Sequence, residues 1–137
     1  MRTLFADTCY WVASANRADA WHKWVRSAPQ WLGQFRIVTT DEVLVEFLNF
    51  FAALSPLARE QAADAVRAIL SSPTVQVLRQ SRESFLAGLS LYEARTDKGY
   101  SLTDCVSMDA MRTLGLAEVL TNDHHFEQEG FTILLKE

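Results

Sequence analysis

Residues 35–54, FRIVTTDEVLVEFLNFFAAL, change from a strand pattern to a helix pattern within a few positions. Segment 36–39 is rich in β-branched residues, which predicts a strand. Segment 42–54 then repeats apolar residues at helical spacing, which predicts an amphipathic helix. Its apolar positions are Val43, Phe47, Phe50, Phe51 and Leu54. The fold prediction depends on this strand-to-helix unit and on its repetition along the chain.

The same alternation continues on both sides of this unit. Strands are also predicted at residues 3–6, 74–78, 118–121 and 131–135. Helices are also predicted at residues 9–15, 19–27, 56–71, 85–96 and 102–114, and another begins near residue 124. Strands that alternate with helices are typical of a parallel sheet covered by helices on both faces. We therefore predict an α/β fold with a central parallel sheet, in a single domain over residues 1–137.

Length and composition indicate an ordinary globular protein. The 137 residues are close to the common size of one domain, and 49% of them are hydrophobic, which is enough for a packed core. No apolar run is long enough to span a bilayer, and Asp7 comes too early for a signal peptide. We therefore expect a cytoplasmic protein that does not bind membranes. Cys9 and Cys105 lack the spacing of a zinc site, so we expect reduced, buried thiols.

Two acids follow predicted strands. Asp7 ends the strand at 3–6, and Asp123 follows the strand at 118–121. In open α/β sheets, ligands bind beyond the carboxyl ends of the strands, so both side chains are candidates for a shared site. Aspartate is also a favoured N-cap residue, and the sequence leaves capping of the following helix open for each of them.

Two further acids lie at the borders of predicted helix faces. Glu46 borders the apolar face of the helix at 42–54, and Asp104 borders that of the helix at 102–114. The first face is formed by Val43, Phe47, Phe50 and Leu54, with Phe51 and Leu57 toward its edge. The second face is formed by Val106, Ala110, Met111 and Leu114. Ser101 and Asp104 also have the spacing of a capping box, so a purely structural role stays open for Asp104. For Glu46, the alternative that stays open is a partly exposed side chain without a function.

The four acids predict a metal site if the fold brings them together. Clustered carboxylates repel one another unless protons or cations intervene. Their hard oxygen atoms suit Mg²⁺ or Mn²⁺, and such ions can activate water for cleavage of a phosphodiester. The net charge of −4 provides no strong basic field for nucleic acid, but bound divalent cations would neutralise the acids. The pattern favours metal-dependent chemistry that needs neither histidine nor cysteine.

Four segments resemble the PIN-domain ribonucleases, in the same order and over almost the whole chain. They are FADT (5–8), TTDEVLVEFLN (39–49), DKGYSLTDCVSMDAM (97–111) and LTNDHHFEQEGF (120–131). The nearest likeness is to the VapC-type toxins of bacterial toxin–antitoxin pairs. The resemblance implies a three-layer α/β/α fold and a Mg²⁺- or Mn²⁺-dependent endoribonuclease, which is a hydrolase of RNA phosphodiester bonds.

The resemblance also assigns roles to particular residues. Matched by position, the catalytic and metal-binding acids are Asp7, Glu46, Asp104 and Asp123. Ser101 and Thr103 match hydroxyl residues that support the third acid or its water. Cys9 departs from the family pattern, in which a serine or a similar residue is more usual at this position.

Partners follow from the resemblance and from the distribution of large apolar residues. The four tryptophans are at positions 11, 21, 24 and 31, and three phenylalanines lie within residues 46–58. Core packing explains most of these side chains, but so many of them in two helical regions also suggest an exposed patch of the kind that marks an interface. The resemblance implies a homodimer and a cognate antitoxin protein. We expect an antitoxin segment to bind over residues 9–60 and to block the acid site with a basic side chain.

Other protein classes fit the residues less well. A haloacid-dehalogenase-type phosphatase needs a second acid two residues after Asp7, where this chain has Cys9. A receiver-type signalling domain needs paired acids after the first strand and a phosphoacceptor Asp after a middle strand, and the sequence has neither. A catalytically inactive PIN-like module that binds RNA or protein stays open. Phosphodiesterase activity that EDTA abolishes would separate that module from an enzyme.

Overall fold

A computed structural model describes residues 1–136, and residue 137, the last of the predicted domain, lies outside the described residues. The strands are β1 (Arg2–Ala6), β2 (Phe35–Thr40), β3 (Val75–Leu78), β4 (Glu118–Leu120) and β5 (Thr132–Ile133). The helices are α1 (Thr8–Ala15), α2 (His22–Leu32), α3 (Asp41–Phe51), α4 (Pro56–Ser71), α5 (Arg82–Ala94), α6 (Leu102–Leu114) and α7 (His124–Gln128). The predicted alternation of strands and helices is confirmed. Among residues 1–136, no helix is both long and apolar enough to cross a membrane.

β1 is the central strand of the sheet. The strand order is β3-β2-β1-β4-β5, and every pairing is parallel. Phe5 of β1 lies opposite Val38 of β2 and Val119 of β4. Leu4, Phe5 and Ala6 are fully buried, as expected for a strand that is covered on both faces. The predicted parallel sheet is confirmed, and its pairing places the carboxyl ends of β1 and β4 side by side.

Hydroxyl side chains cap the start of four helices. Thr40 accepts a backbone hydrogen bond at the start of α3, and Ser55 does the same at α4. Ser81 and Ser101 form reciprocal capping boxes at α5 and α6. Each such cap typically stabilises a protein by about 1 kcal/mol. The capping box predicted at Ser101 is confirmed, and it fixes the turn of α6 that carries Asp104.

The helix predicted at residues 19–27 differs from α2 at both ends. The Asp19 side chain accepts a hydrogen bond from the Trp21 N–H (2.8 Å), which forms a turn before the helix begins. At the other end, α2 continues through Pro29 to Leu32, although an interior proline removes one bond of the helical ladder and crowds the preceding turn. The helix ends at Gly33, whose φ of 76° favours glycine.

The buried face of α3 differs from the predicted face. The buried residues of this helix are Val43, Leu44, Phe47 and Phe51. Phe50 is 51% exposed and Leu54 is 61% exposed, so the prediction that both pack against the sheet is wrong. Phe51, which we expected nearer the edge, is buried. The reason is that α3 also packs against α1, α4 and α6, so the buried face of the helix is centred on Phe47. Phe50 lies at the border of this face, beside Glu46.

The apolar face of α6 also differs in part from the prediction. Val106 and Met111 are buried as predicted, whereas Leu114 in the last turn is 44% exposed. Met108, which the predicted face did not include, is fully buried. The helix packs against both α5 and α3, so residues on two sides of it are covered.

α5 and α6 approach each other closely at Gly88. A Cβ atom at this position would lie 2.5 Å from Val106 Cγ2 and 3.2 Å from Val106 N. Carbon atoms do not approach so closely, and a larger residue would have to push α6 away. Since Asp104 lies two residues before Val106 on α6, Gly88 helps to set the position of that acid.

We expect Gly88→Ala to lower the free energy of unfolding by about 1–3 kcal/mol, because the clash outweighs the gain in helix propensity. Denaturant unfolding measures the change. The double variant Gly88→Ala/Val106→Ala removes the clashing methyl group and should lose less stability than the sum of its single variants. A Gly88→Ala protein as stable as the parent would contradict the close approach.

Candidate active site

One cleft at the carboxyl ends of β1 and β4 contains all four predicted acids. Its lining includes Asp7, Glu46, Ser101, Asp104 and Asp123. The cleft has a volume of about 780 Å³ and is open to solvent. Thr103, the other residue with a predicted supporting role, does not line it. The structure therefore brings together every predicted site residue except Thr103.

Asp7 follows β1 directly and is only 6% exposed. It occupies the N-cap position of α1, yet its side chain makes no capping hydrogen bond. Oδ2 accepts a hydrogen bond from the Thr121 hydroxyl (2.9 Å), whereas Oδ1 is buried without a partner among the described residues. A buried carboxylate oxygen without a partner is unfavourable, so the geometry favours ligand binding over capping for this side chain.

Thr121, at the end of β4, connects three parts of the site. Its hydroxyl donates to Asp7 and accepts a hydrogen bond from the Asp123 N–H (3.1 Å). Cys9 Sγ lies 3.2 Å from the same oxygen. Because the single hydroxyl proton goes to Asp7, the Cys9 thiol must be the donor in this contact. One sequence signal could have identified Thr121, namely a hydroxyl residue at a strand end two positions before an acid.

Cys9 borders the cleft as a neutral thiol. Burial raises the pKa of this thiol to about 12, and the charge of Asp7 adds to the effect. A thiol with this pKa does not act as a nucleophile at neutral pH. Cys9 and Cys105 are both free, as expected from the sequence.

Asp104 caps its helix and also lines the cleft. Its Oδ2 accepts a hydrogen bond from the Ser101 N–H (3.1 Å), and Ser101 Oγ accepts one from the Asp104 N–H (3.0 Å). Burial raises the pKa of the Asp104 carboxyl, and the charges of Asp123 and Glu46 add to this effect. Capping and ligand binding are therefore compatible at this residue.

Asp123 and Glu46 form the outer part of the acid cluster. Asp123 caps α7, since its Oδ1 accepts a hydrogen bond from the His125 N–H (2.9 Å). Glu46 is half-buried on α3 and lines the cleft together with the exposed ring of Phe50. Both outer acids are more accessible to solvent than Asp7 and Asp104. The cluster thus has two buried acids and two partly exposed ones.

His125 is part of the acid cluster, which sequence reasoning did not predict. Its Nδ1 and single oxygen atoms of Asp104 and Asp123 all lie within 4.8 Å of one another. The ring packs edge-on against Tyr100, with ring centroids 5.2 Å apart. The adjacent His124 points outward and pairs with Glu127. The pair of histidines in the sequence did not indicate which one would face the acids.

Glu129 anchors the segment that precedes Asp104. Its buried carboxylate accepts hydrogen bonds from Arg95, Arg112 and the Tyr100 hydroxyl. Burial alone would raise the pKa of Glu129, but these three donors lower it to about 2. Arg95 and Arg112 are thus both paired with this carboxylate.

The donor set of the cleft fits a divalent cation. The four carboxylates provide hard oxygen ligands, and a cation among them would relieve their mutual repulsion. Asp7 Oδ1 is a buried acceptor without a partner among residues 1–136. That unpaired oxygen is the observation that a bound cation would explain.

The comparison with known families agrees with this geometry. The family model described as PIN domain matches residues 4–131. The chain belongs to the PIN domain family. The family resemblance in the sequence motifs is therefore confirmed.

Similar proteins cover nearly the whole of this PIN domain. The 23S rRNA-specific endonuclease VapC20 of Mycobacterium tuberculosis is 26% identical over 133 residues, which are 93% of this chain and 95% of the relative. The crystal structure of VapC20, a Sarcin-Ricin loop cleaving toxin, matches with a TM-score of 0.82 at 23% identity, over 94% of this chain and 96% of that chain. The crystal structure of VapBC2 from Rickettsia felis, bound to a DNA fragment from its promoter, matches with a TM-score of 0.69 at 15% identity. The match covers 96% of this chain and 97% of that chain. The similarities confirm the predicted α/β/α fold.

Asp7 links the site of this PIN domain to its stability. Burial raises the pKa of the Asp7 carboxyl from 3.8 to about 7, and the charges of Asp104 and Glu46 add to the effect. The folded protein therefore holds this proton more tightly than the unfolded chain does. The resulting stabilisation is complete below pH 3.8 and is lost as the pH rises through about 7.

We expect the metal-free protein to lose roughly 2–3 kcal/mol of unfolding free energy between pH 5 and pH 8 because of this group. Denaturant unfolding in the presence of a chelator measures the loss. Asp7→Asn should remove it, whereas Asp64→Asn, at an exposed position of α4, should retain it. Parallel pH curves for the parent and Asp7→Asn would contradict the effect.

Proposed function

We propose that this PIN domain is a metal-dependent endoribonuclease that acts as the toxin of a toxin–antitoxin pair. The observation that carries the proposal is the convergence of Asp7, with its buried unpaired oxygen, and Asp104 and Asp123 in one open cleft. Asp104 and Asp123 also cap helices. Capping does not require the acids to lie together, and a cluster of acids destabilises the fold that contains it.

The proposed cofactor is Mg²⁺ or Mn²⁺, held by Asp7, Glu46, Asp104 and Asp123. The bound ion would supply Lewis-acid stabilisation of the phosphodiester and activate water for its hydrolysis. Thr121 holds the Asp7 carboxylate in place from the strand end, and Ser101 does the same for Asp104. These hydrogen bonds orient the acids before substrate binds, which reduces the reorganisation that catalysis requires.

Unpaired RNA is the proposed substrate. The relative VapC20 is named as an endonuclease specific for 23S rRNA, which supports RNA as the substrate class. The exposed ring of Phe50 beside Glu46 offers a face on which an unstacked base can pack. Bases in loops and single strands can reach such a ring, whereas bases inside a duplex cannot.

We expect Asp104→Asn to reduce RNA cleavage roughly 100-fold or more, because one charged ligand of the acid cluster is lost. The asparagine oxygen can still cap α6, so thermal stability should stay similar or rise. The measurement is the rate of cleavage of a hairpin RNA with an unpaired loop, with Mg²⁺ or Mn²⁺ and then with EDTA.

Asp109→Asn is the matched control, since Asp109 lies on the same helix and lines a different cavity. It should cleave like the parent, and a fully paired RNA of the same length should resist cleavage. If Asp104→Asn cleaves as fast as the parent, or if EDTA has no effect, the nuclease assignment is wrong. RNA binding without any cleavage would favour the inactive binding module.

The proposed partners are a cognate antitoxin and a second copy of this chain. The similarity to the toxin VapC20 and to VapBC2 supports the first. Phe50, Leu54 and Leu57 are exposed apolar side chains close to one another in the chain, and Phe50 lines the acid cleft itself. A partner segment that covers them would lie next to the cleft and could place a basic side chain among the acids.

We expect the product of a neighbouring antitoxin reading frame to protect backbone amides within residues 9–60 from hydrogen exchange. It should also inhibit RNA cleavage, because it lies against the cleft. Protection confined to residues 74–90 would contradict this binding mode. Light scattering should give the mass of a dimer at micromolar concentration, and a monomeric mass would contradict the homodimer.

A further inference from the structure

One ring nitrogen of His125 faces two acids without hydrogen-bonding to either. Nδ1 lies 3.4 Å from Asp123 Oδ1 and 3.7 Å from Asp104 Oδ2. It is buried and has no hydrogen-bond partner within the part of the chain that the structure describes. Neighbouring ligands of a six-coordinate cation with bonds of about 2.1 Å lie about 3 Å apart. Both separations are longer than those of good hydrogen bonds, and the ring nitrogen and the two acids are close enough together to bind one ion.

The position of the His125 ring is fixed by the protein. Tyr100 packs edge-on against it, with an interplanar angle of 61°. The Tyr100 hydroxyl donates to the buried carboxylate of Glu129 (3.1 Å), which Arg95 and Arg112 also bind. The ring is thus held against an anchored aromatic neighbour, which limits its rotation.

The other ring nitrogen is available to carry the proton. Nε2 lies toward Gly99, where an added Cβ would be in ordinary contact with it at 3.7 Å. The His125 side chain is 34% exposed, so the ring is not sealed from water. Coordination through Nδ1 leaves a neutral imidazole with its proton on Nε2, which is the form that binds metals.

A second buried atom in the same cleft also has no partner. Asp7 Oδ1 is unpaired within residues 1–136, and its residue is more than nine-tenths buried. Thr8 Oγ1, which lines the same cleft, is a third such atom. Among residues 1–136, the ligand atoms of Asp104, Asp123 and His125 lie within 4.8 Å of one another, so a cation bound by His125 would lie between these two acids.

We infer that His125 Nδ1 is a ligand of the cation held by Asp104 and Asp123, so that this mixed nitrogen–oxygen site favours Mn²⁺ over Mg²⁺. The inference rests on the metal site of the proposed function. Mg²⁺ takes oxygen ligands and keeps its waters, whereas first-row transition ions bind imidazole more readily. A cleft of carboxylates alone would discriminate less between the two ions.

The competing role for His125 is that of a charged partner of the two acids. A protonated ring would balance the charges of Asp104 and Asp123 and would compete with a cation for them. Its removal would then strengthen the binding of both Mn²⁺ and Mg²⁺. Removal of a ligand would instead weaken Mn²⁺ binding, so the two roles predict changes of opposite sign.

Pulsed electron paramagnetic resonance of Mn²⁺ bound to the intact chain tests the ligand directly. The parent protein should show hyperfine coupling to an imidazole nitrogen. The coupling should be lost in His125→Gln and retained in His124→Gln. His124 is the matched control, because its side chain is 79% exposed and pairs with Glu127. The Mn²⁺ affinity of His125→Gln should fall on the order of 10-fold or more, while its Mg²⁺ affinity changes less.

The outcomes separate this inference from the proposed function. Bound Mn²⁺ without nitrogen coupling, or tighter Mn²⁺ binding by His125→Gln, overturns the inference and leaves the acid site standing. Failure of the parent chain to bind Mn²⁺, or unchanged Mn²⁺ binding by Asp104→Asn, overturns both. The coupling is measured on the parent protein, so the test does not depend on whether His125→Gln folds.

Discussion

The parallel pairing of β1 with β4 is the constraint on which the site depends. It places Ala6 opposite Leu120, and the residues that follow both strands therefore emerge side by side. Thr121 then uses one hydroxyl group to hold the Asp7 carboxylate and the N–H of Asp123. Since the central strand is buried on both faces, its register cannot slip without exposing core residues. The distance between these two acids is thus set by the sheet itself.

The site has a buried inner part, with Asp7 and Asp104, and a partly exposed outer part, with Glu46 and Asp123. Asp7 is surrounded by protein, and its ionised form is unfavourable there, as the raised pKa shows. Asp123 and Glu46 keep partial access to water. A ligand that binds only the folded state would offset the penalty and stabilise the whole domain. Stability and ligand binding are therefore coupled through one buried side chain.

Local patterns predict which elements form here, but not how each is rotated or what its polar groups contact. Hydroxyl caps and glycines act on neighbouring residues, so the ends of α4 and α6 could be predicted. Phe50 and Phe51 are adjacent and equally apolar, and only packing against three other helices decides which one is buried. The roles of Thr121, His125 and Glu129 depend on strand order and on partners from distant segments. Periodicity contains no information about either.

The long separation of the paired residues has a consequence for synthesis of the chain. Thr121 and Asp7 are 114 positions apart, and β1 gains its second neighbour only when β4 has been made. This pairing therefore cannot form until the chain has been made as far as residue 121. Domains fold during translation from the N-terminal side. A nascent chain that stops before β4 lacks Asp123 and His125, and ribosome-bound fragments therefore cannot assemble the complete cluster.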